Sequence, residues 1–218
     1  MRIPFMDPVW ISIKTTFVST VIVFFAGIFL AYALFRYKGK WKTFFDLTIS
    51  LPLILPPTVL GYLLLVIFGR NSIVNDFLKS FNVSLLFSWS ATVITACIVS
   101  LPLMYHSAKS GFENINPEVI HASRTLGKNE WETFFRIILP LSKPALIAGV
   151  LLSFSRALGE FGATLMFAGN IPGKTQTLSI AIYFAVASGN FRQAFFWVLI
   201  MLAMSLISIF MLNAWKNK

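Results

Sequence analysis

Charge is what this sequence has least of. Only 12% of its 218 residues are Asp, Glu, Lys or Arg, against roughly 25% in ordinary soluble domains. So little charge could not keep a water-exposed surface soluble when 57% of the chain is hydrophobic and 23 residues are Phe. Cysteine is reduced to Cys97, inside an apolar run. That excludes an intramolecular disulfide and any CxxC metal or redox site. There are two histidines, His106 and His121. No HExxH motif, Ser/His/Asp set or carboxylate pair is present, so an enzyme reading has no support, and we expect neither cofactor nor metal.

What is abundant is apolar sequence in long runs. The composition fits one all-α integral membrane domain embedded in a lipid bilayer. The net charge of +10 could suggest nucleic acid. Its basic residues instead flank the apolar runs, which is the positive-inside pattern, and no nucleic-acid partner is expected.

The hydropathy pattern predicts about five spans, near residues 10–36, 47–68, 85–105, 140–167 and 194–215. About 20 apolar residues suffice to cross a bilayer. The first run is too long for a signal-peptide core, so it is expected to stay as a span. It ends in Arg36, Lys38, Lys40 and Lys42, which marks the cytoplasmic side and puts the N-terminus outside. The second run contains Pro52, Pro56 and Pro57. Broken backbone is tolerated in a membrane only against protein or a water-filled cavity, so a bent helix beside a central pathway is expected. The third run has Pro102 near its inner end, with His106 and Lys109 meeting the cytoplasm. Thr175 to Ser188 is apolar but about half a span, so an external or re-entrant helix is expected there. The last run then returns the C-terminal Lys216 and Lys218 to the cytoplasm. Leu-Pro-Leu recurs at 51–53, 101–103 and 139–141 and reads as helix-end punctuation.

The longest polar interruption, Asn116 to Pro140, has a helical pattern of its own. Asn116 can cap a helix, Pro117 suits its first position, and Glu118 complements the dipole. Val119, Ala122 and Leu126 share one face, and Gly127 is a natural stop. Asn129 with Glu132 three residues on forms a capping box, followed by Trp131, Phe134, Phe135 and Ile138 at helical spacing. Two short amphipathic helices joined at a glycine are predicted. Pro140 disfavours helix at Leu139 and opens the next span. That span carries Arg156 and Glu160 four apart, on one helix face. Such a pair either serves a pathway or locks helices together. Gly159 and Gly162 would admit a close neighbour.

Gly173-Lys174-Thr175 imitates the end of a phosphate-binding loop, but the preceding glycine, Gly169, is one residue too close and no strand precedes it. Asn116–Pro140, by contrast, resembles the EAA motif of ABC importer permeases, EAA-x3-G-x9-I-x-L-P. His121-Ala122-Ser123, Gly127 and Ile137-Ile138-Leu139-Pro140 keep its spacing, with His121 for Glu and Ser123 for the second Ala. Ser155–Thr164, Gly169–Thr175 and Leu51–Tyr62 are similar to the molybdate permease family called ModB, and sulfate and tungstate permeases share a like block.

The resemblance implies a type I ABC importer permease fold in a prokaryotic plasma membrane. It implies a cytoplasmic coupling-helix pair, 117–138, whose ATPase contacts would be Pro117, Glu118, His121, Ala122, Ser123, Leu126 and Gly127. It implies a homodimer with two ATP-binding subunits inside, which would hydrolyse the ATP, and a molybdate-binding protein outside on loops 69–84 and 168–193. Residues expected along the pathway or its gate are Pro56, Pro57, Arg156, Gly159, Glu160 and Thr164, with Arg156 placed to contact the anion or only Glu160. Molybdate is the expected cargo, with tungstate or sulfate as alternatives. A partner-independent channel or secondary transporter would need intramembrane acids, for which Glu160 is a lone candidate.

Overall fold

The computed structural model describes residues 4–69, 72–80 and 85–216. Parts of the expected outer loop (70–71 and 81–84) and Lys218 lie outside them. Among the described residues, every regular element is helical. After a short 3-10 turn at Pro4–Met6 they are, in order, α1 (Asp7–Arg36), α2 (Lys42–Ile54), α3 (Pro57–Phe68), α4 (Ile73–Lys79), α5 (Trp89–Glu113), α6 (Pro117–Thr125), α7 (Glu130–Leu141), α8 (Lys143–Leu158), α9 (Gly162–Ala168), α10 (Leu178–Ala187) and α11 (Phe191–Lys216).

Three of these helices, α1, α5 and α11, are long and apolar enough to cross a membrane, or up to five spans exist if each bent pair counts as one. The bent pairs are α2 with α3, at 115°, and α7 with α8, at 71°. The first bend falls at Leu55-Pro56 and is far sharper than a proline kink. It yields two helices of 13 and 12 residues, each short of the length needed to cross alone.

The centre of the fold is the packing of α1, α5 and α8. Val23, Ala31 and Leu34 of α1 meet Met104, Tyr105, Ala108 and Phe112 of α5 and Leu146 of α8. Ile120, Phe134 and Ile138 join the same cluster from the polar segment. A second cluster sets Leu60 and Leu64 of α3 against Ala91 and Val99 of α5 and Ala163, Phe167 and Ala168 of α9. A third docks α10 against α11 and the start of α1, through Val9, Leu178, Ala181, Ala185, Ala194 and Trp197. At 10 residues α10 is too short to span, as expected for 175–188.

Several boundaries need correction. Helix α5 runs through Pro102 to Glu113, well past Tyr105. Pro102 is buried within α5, where tertiary packing offsets the roughly 3 kcal/mol cost of an interior proline. Pro52 likewise lies inside α2. Of the three Leu-Pro-Leu runs, only 101–103 lies mid-helix; 51–53 and 139–141 fall in the last turns of α2 and α7. Helix α7 ends one residue past Pro140, at Leu141, but the proline does not disrupt helix at Leu139, which is helical. The reason is a π turn over Phe134–Ile138, in which the Leu139 N–H reaches back five residues to the Phe134 carbonyl. The widened turn shifts the hydrogen-bond register just before the proline. The run at 140–167 is not one helix either. It bends at Ser142 and breaks again between Leu158 and Gly162.

Candidate functional site

The polar segment folds as its caps require. Asn116 Oδ1 accepts the Glu118 N–H at 2.9 Å and starts α6. Asn129 Oδ1 accepts the Glu132 N–H at 2.8 Å, and Glu132 Oε2 accepts the Asn129 N–H at 3.2 Å, which closes the capping box that starts α7. Between them Gly127 has φ of +75°, with no atom near where a Cβ would stand. Its role is conformational: it supplies the left-handed turn that lets the Lys128 N–H bond the Ser123 carbonyl at 3.2 Å.

The two helices are tied by a joint that local patterning did not reveal. Ser123 Oγ and Thr133 Oγ1 lie 2.9 Å apart, both buried. Arg124 Nε pairs with Glu130 Oε1 at 3.0 Å, and Arg36 at the end of α1 reaches Glu130 Oε2 at 3.6 Å. Beneath the joint, Phe134 packs on Tyr32 of α1, with ring centroids 4.2 Å apart, and on Phe112 of α5. One face of the pair is therefore anchored on α1 and α5.

The opposite face is open. Pro117, Glu118, Val119, His121, Ala122, Leu126 and Gly127 are exposed, Leu126 at 80%. Trp131 and Phe135 stack on each other and also point outward. Ser123 departs from the expected contact set: it is 2% exposed and turned inward, because it supplies one half of the interhelical hydrogen bond. The aromatic repeat of α7 divides in the same way, with Phe134 and Ile138 inward and Trp131 and Phe135 outward.

The second feature is the pair of breaks, at Leu55-Pro56 and at 159–161. Arg156 Nη1 donates to Glu160 Oε2 at 2.8 Å, so the pairing expected from their spacing is present. They do not share a continuous helix face. Helix α8 ends at Leu158, and Glu160 lies in the break, where its Oε1 accepts the Ala163 N–H at 2.9 Å and caps α9. The carboxylate is buried, while the Arg156 side chain keeps 30% of its exposure. A Cβ on Gly162 would stand 2.9 Å from Pro57 Cβ, so the two breaks are in direct contact. Pro56, Pro57 and Gly159 are exposed. Thr164 is not: it is buried against α5, its hydroxyl 2.8 Å from that of Thr95. It therefore lies apart from the exposed Pro56, Pro57 and Gly159.

The residues Gly169–Thr175 form a tight turn. The buried Thr175 hydroxyl accepts the Ile171 N–H at 3.0 Å and donates to the Gly169 carbonyl at 3.1 Å. A hydroxyl so engaged serves the turn itself, which accounts for the likeness to a phosphate loop.

A further polar cluster had no sequence signature. Asp46 of α2 accepts from Tyr105 Oη and, at 2.7 Å, from Lys109 Nζ, both on α5. One turn on, Ser50 Oγ lies 2.8 Å from His106 Nε2. Helix α2 has no fully buried residue, and these bonds, together with Ile49 packed against the main cluster, hold it to α5. His106, expected as an interfacial residue, is a partner in this clasp.

Comparison with known proteins agrees with this architecture. Over 215 residues the chain is 39% identical to the molybdenum transport system permease protein ModB of Escherichia coli K12, covering 96% of this chain and 93% of that one. It is 31% identical over 208 residues to the sulfate transport system permease protein CysT of the same organism, covering 95% and 75%. Its fold matches the MetNI methionine ABC transporter in an inward-facing conformation with a TM-score of 0.74, at 17% identity, covering 98% of this chain and 97% of that one. The pattern of one family, the binding-protein-dependent transport system inner membrane component, matches residues 23–215. The chain thus belongs to the family of inner-membrane, multi-pass components of binding-protein-dependent transport systems.

Proposed function

We propose that this chain is the permease subunit of an ATP-driven importer that carries molybdate across a prokaryotic inner membrane. The observation that carries the reading is the near end-to-end similarity to ModB, higher in identity and coverage than that to CysT. In this reading two copies pair around the pathway, with two ATPase subunits inside and a molybdate-binding protein outside. ATP is hydrolysed on the ATPase subunits.

The helix pair 117–138 is the mechanical input. Pro117, Glu118, His121, Ala122, Leu126 and Gly127 form its open face and would seat in the ATPase. Ser123, Thr133, Arg124 and Glu130 make the pair move as one piece. Ile120, Phe134 and Ile138 carry that movement into α1 and α5, and the bend at Ser142 carries it into α8. The salt bridge from Arg36 to Glu130 supports the orientation, because it puts the first basic cluster and the helix pair at the same end. That end is cytoplasmic by the positive-inside rule, which leaves the N-terminus outside and the C-terminus inside. The binding protein then docks on the opposite side, on segments 69–84 and 168–193.

The anion passes beside the two touching breaks, near Pro56, Pro57, Gly159 and Arg156. An oxyanion needs compensating charge there but not a tight site, or it would not leave. Arg156 meets both needs: Glu160 fixes its position and neutralises part of its charge, and its side chain keeps 30% of its exposure, through which it can meet the anion. Glu160 acts as anchor and helix cap and has no contact with cargo.

The test is uptake by the complete reconstituted complex, with molybdate, tungstate and sulfate in competition. ATP-dependent molybdate uptake that resists excess sulfate is expected. Preferential sulfate uptake would assign the chain to the CysT-like branch, and uptake without ATP or an ATPase subunit would remove the importer reading.

A further inference from the structure

A small polar cavity lies where α1, α5, the 159–161 break and the start of α10 meet. Its volume is about 10 Å3. Seven of its ten lining residues bear a hydroxyl or a carboxylate, an unusual lining for so apolar a chain. Most of these groups are engaged. The Thr15 hydroxyl lies 3.0 Å from that of Thr92 and accepts the Trp89 Nε1–H at 3.0 Å. Thr164 bonds Thr95, and Ser12 Oγ accepts the Leu178 N–H at 2.7 Å.

Thr177 is not engaged in this way. It stands at the N-cap of α10, yet its side chain does not cap the helix. The residue is 6% exposed, and its Oγ1 has no hydrogen-bond partner among the described residues. Glu160, 3% exposed, lines the same space and has acceptor capacity beyond its bonds to Arg156 and Ala163. A buried hydroxyl without a partner is costly, and native proteins meet such groups with internal water. A cavity of roughly 10–15 Å3 accommodates one water, provided it finds two to four polar partners.

We infer that this cavity is a binding site for a single structural water, held by the Thr177 hydroxyl and the Glu160 carboxylate. The water donates to Glu160 and exchanges a hydrogen bond with Thr177. It pins the outer turn and α10 to the break between α8 and α9. Those elements and the start of α1 then move as one body, whatever anion the transporter carries. Water suits the site better than a cation because Glu160 is already paired with Arg156, which leaves no net negative charge for a cation to neutralise.

The sign of one stability change tests this. Thr177→Val keeps the shape and removes the hydroxyl. If the site holds water, the variant strands it beside Glu160, and the assembled transporter in nanodiscs melts a few degrees lower. Thr177→Ser keeps the hydroxyl and should hold Tm closer to the parent than valine does. If the cavity is dry, Thr177→Val removes an unpaired buried hydroxyl, and Tm rises. A high-resolution map of the same complex should show one density peak within hydrogen-bonding reach of Thr177 Oγ1 and Glu160, unchanged when sodium is replaced by choline. A rise in Tm with valine, a map without the peak, or a peak or Tm that depends on sodium overturns the proposal.

Discussion

Replacing Glu160 with Gln separates the two roles that the structure gives this carboxylate. The amide oxygen can still accept the Ala163 N–H, so the cap of α9 survives. The charge that holds Arg156 is lost. A hydrogen bond between charged groups contributes about 1.5–3 kcal/mol, and breaking a fully buried pair costs about 3–5 kcal/mol. Arg156 retains 30% of its side-chain exposure, so solvent would stabilise part of the stranded charge. We therefore expect a loss of about 2 kcal/mol. For a chain of this length that corresponds to a fall of roughly 4–8 °C in Tm, read by thermal unfolding of the purified complex. Glu160→Leu removes the cap as well and should fall further, while Arg156→Met/Glu160→Gln should recover part of the loss because no cation is stranded. Uptake separates the residues again: Arg156→Met/Glu160→Gln should transport poorly even where Tm recovers. An unchanged Tm in Glu160→Gln would refute the anchoring role, and normal uptake by the double variant would remove Arg156 from the pathway.

Other predictions follow from the same geometry. Gly127→Val should strain the left-handed turn by about 1–2 kcal/mol, with no clash to add. It should lower the coupling of ATP hydrolysis to uptake while membrane levels stay near normal, as read by immunoblot and uptake on one preparation. Ser123→Ala and Thr133→Val should be non-additive, with a coupling energy of about 0.5–1.5 kcal/mol in a double-mutant cycle on Tm. Asp46→Ala removes the shared acceptor for Tyr105 and Lys109 and should free α2, seen as faster backbone hydrogen exchange across 42–54 with little change in α5.

Local chemistry made part of this molecule legible. The caps at Asn116 and Asn129 and the turn at Gly127 each depend on neighbours within a few residues, so spacing alone located them. Three things escaped. Ser123 lies in an exposed-looking amphipathic helix, and only the return of α7 across it buries its hydroxyl. Pro140 reads as a helix breaker, but the π turn before it changes the register the proline meets. The Asp46 clasp joins residues 59 and 63 positions apart in the chain, a separation at which periodicity carries no information. Arg156 and Glu160 fall between these cases. Their spacing revealed the pair, but the break that places Glu160 just before α9 lies where α3 closes against Gly162, a contact distant in sequence.

The central claim is that the open face of 117–138 seats on an ATPase subunit while its inward face drives the bundle. Single-cysteine cross-linking in the assembled complex tests it most directly, with Cys97 replaced and new cysteines placed at two adjacent positions. Ala122→Cys, on the open face, should cross-link to the ATPase subunit in high yield, and Ser123→Cys, buried at the joint, should not. Equal yields at both positions, or none at Ala122→Cys, would contradict the account.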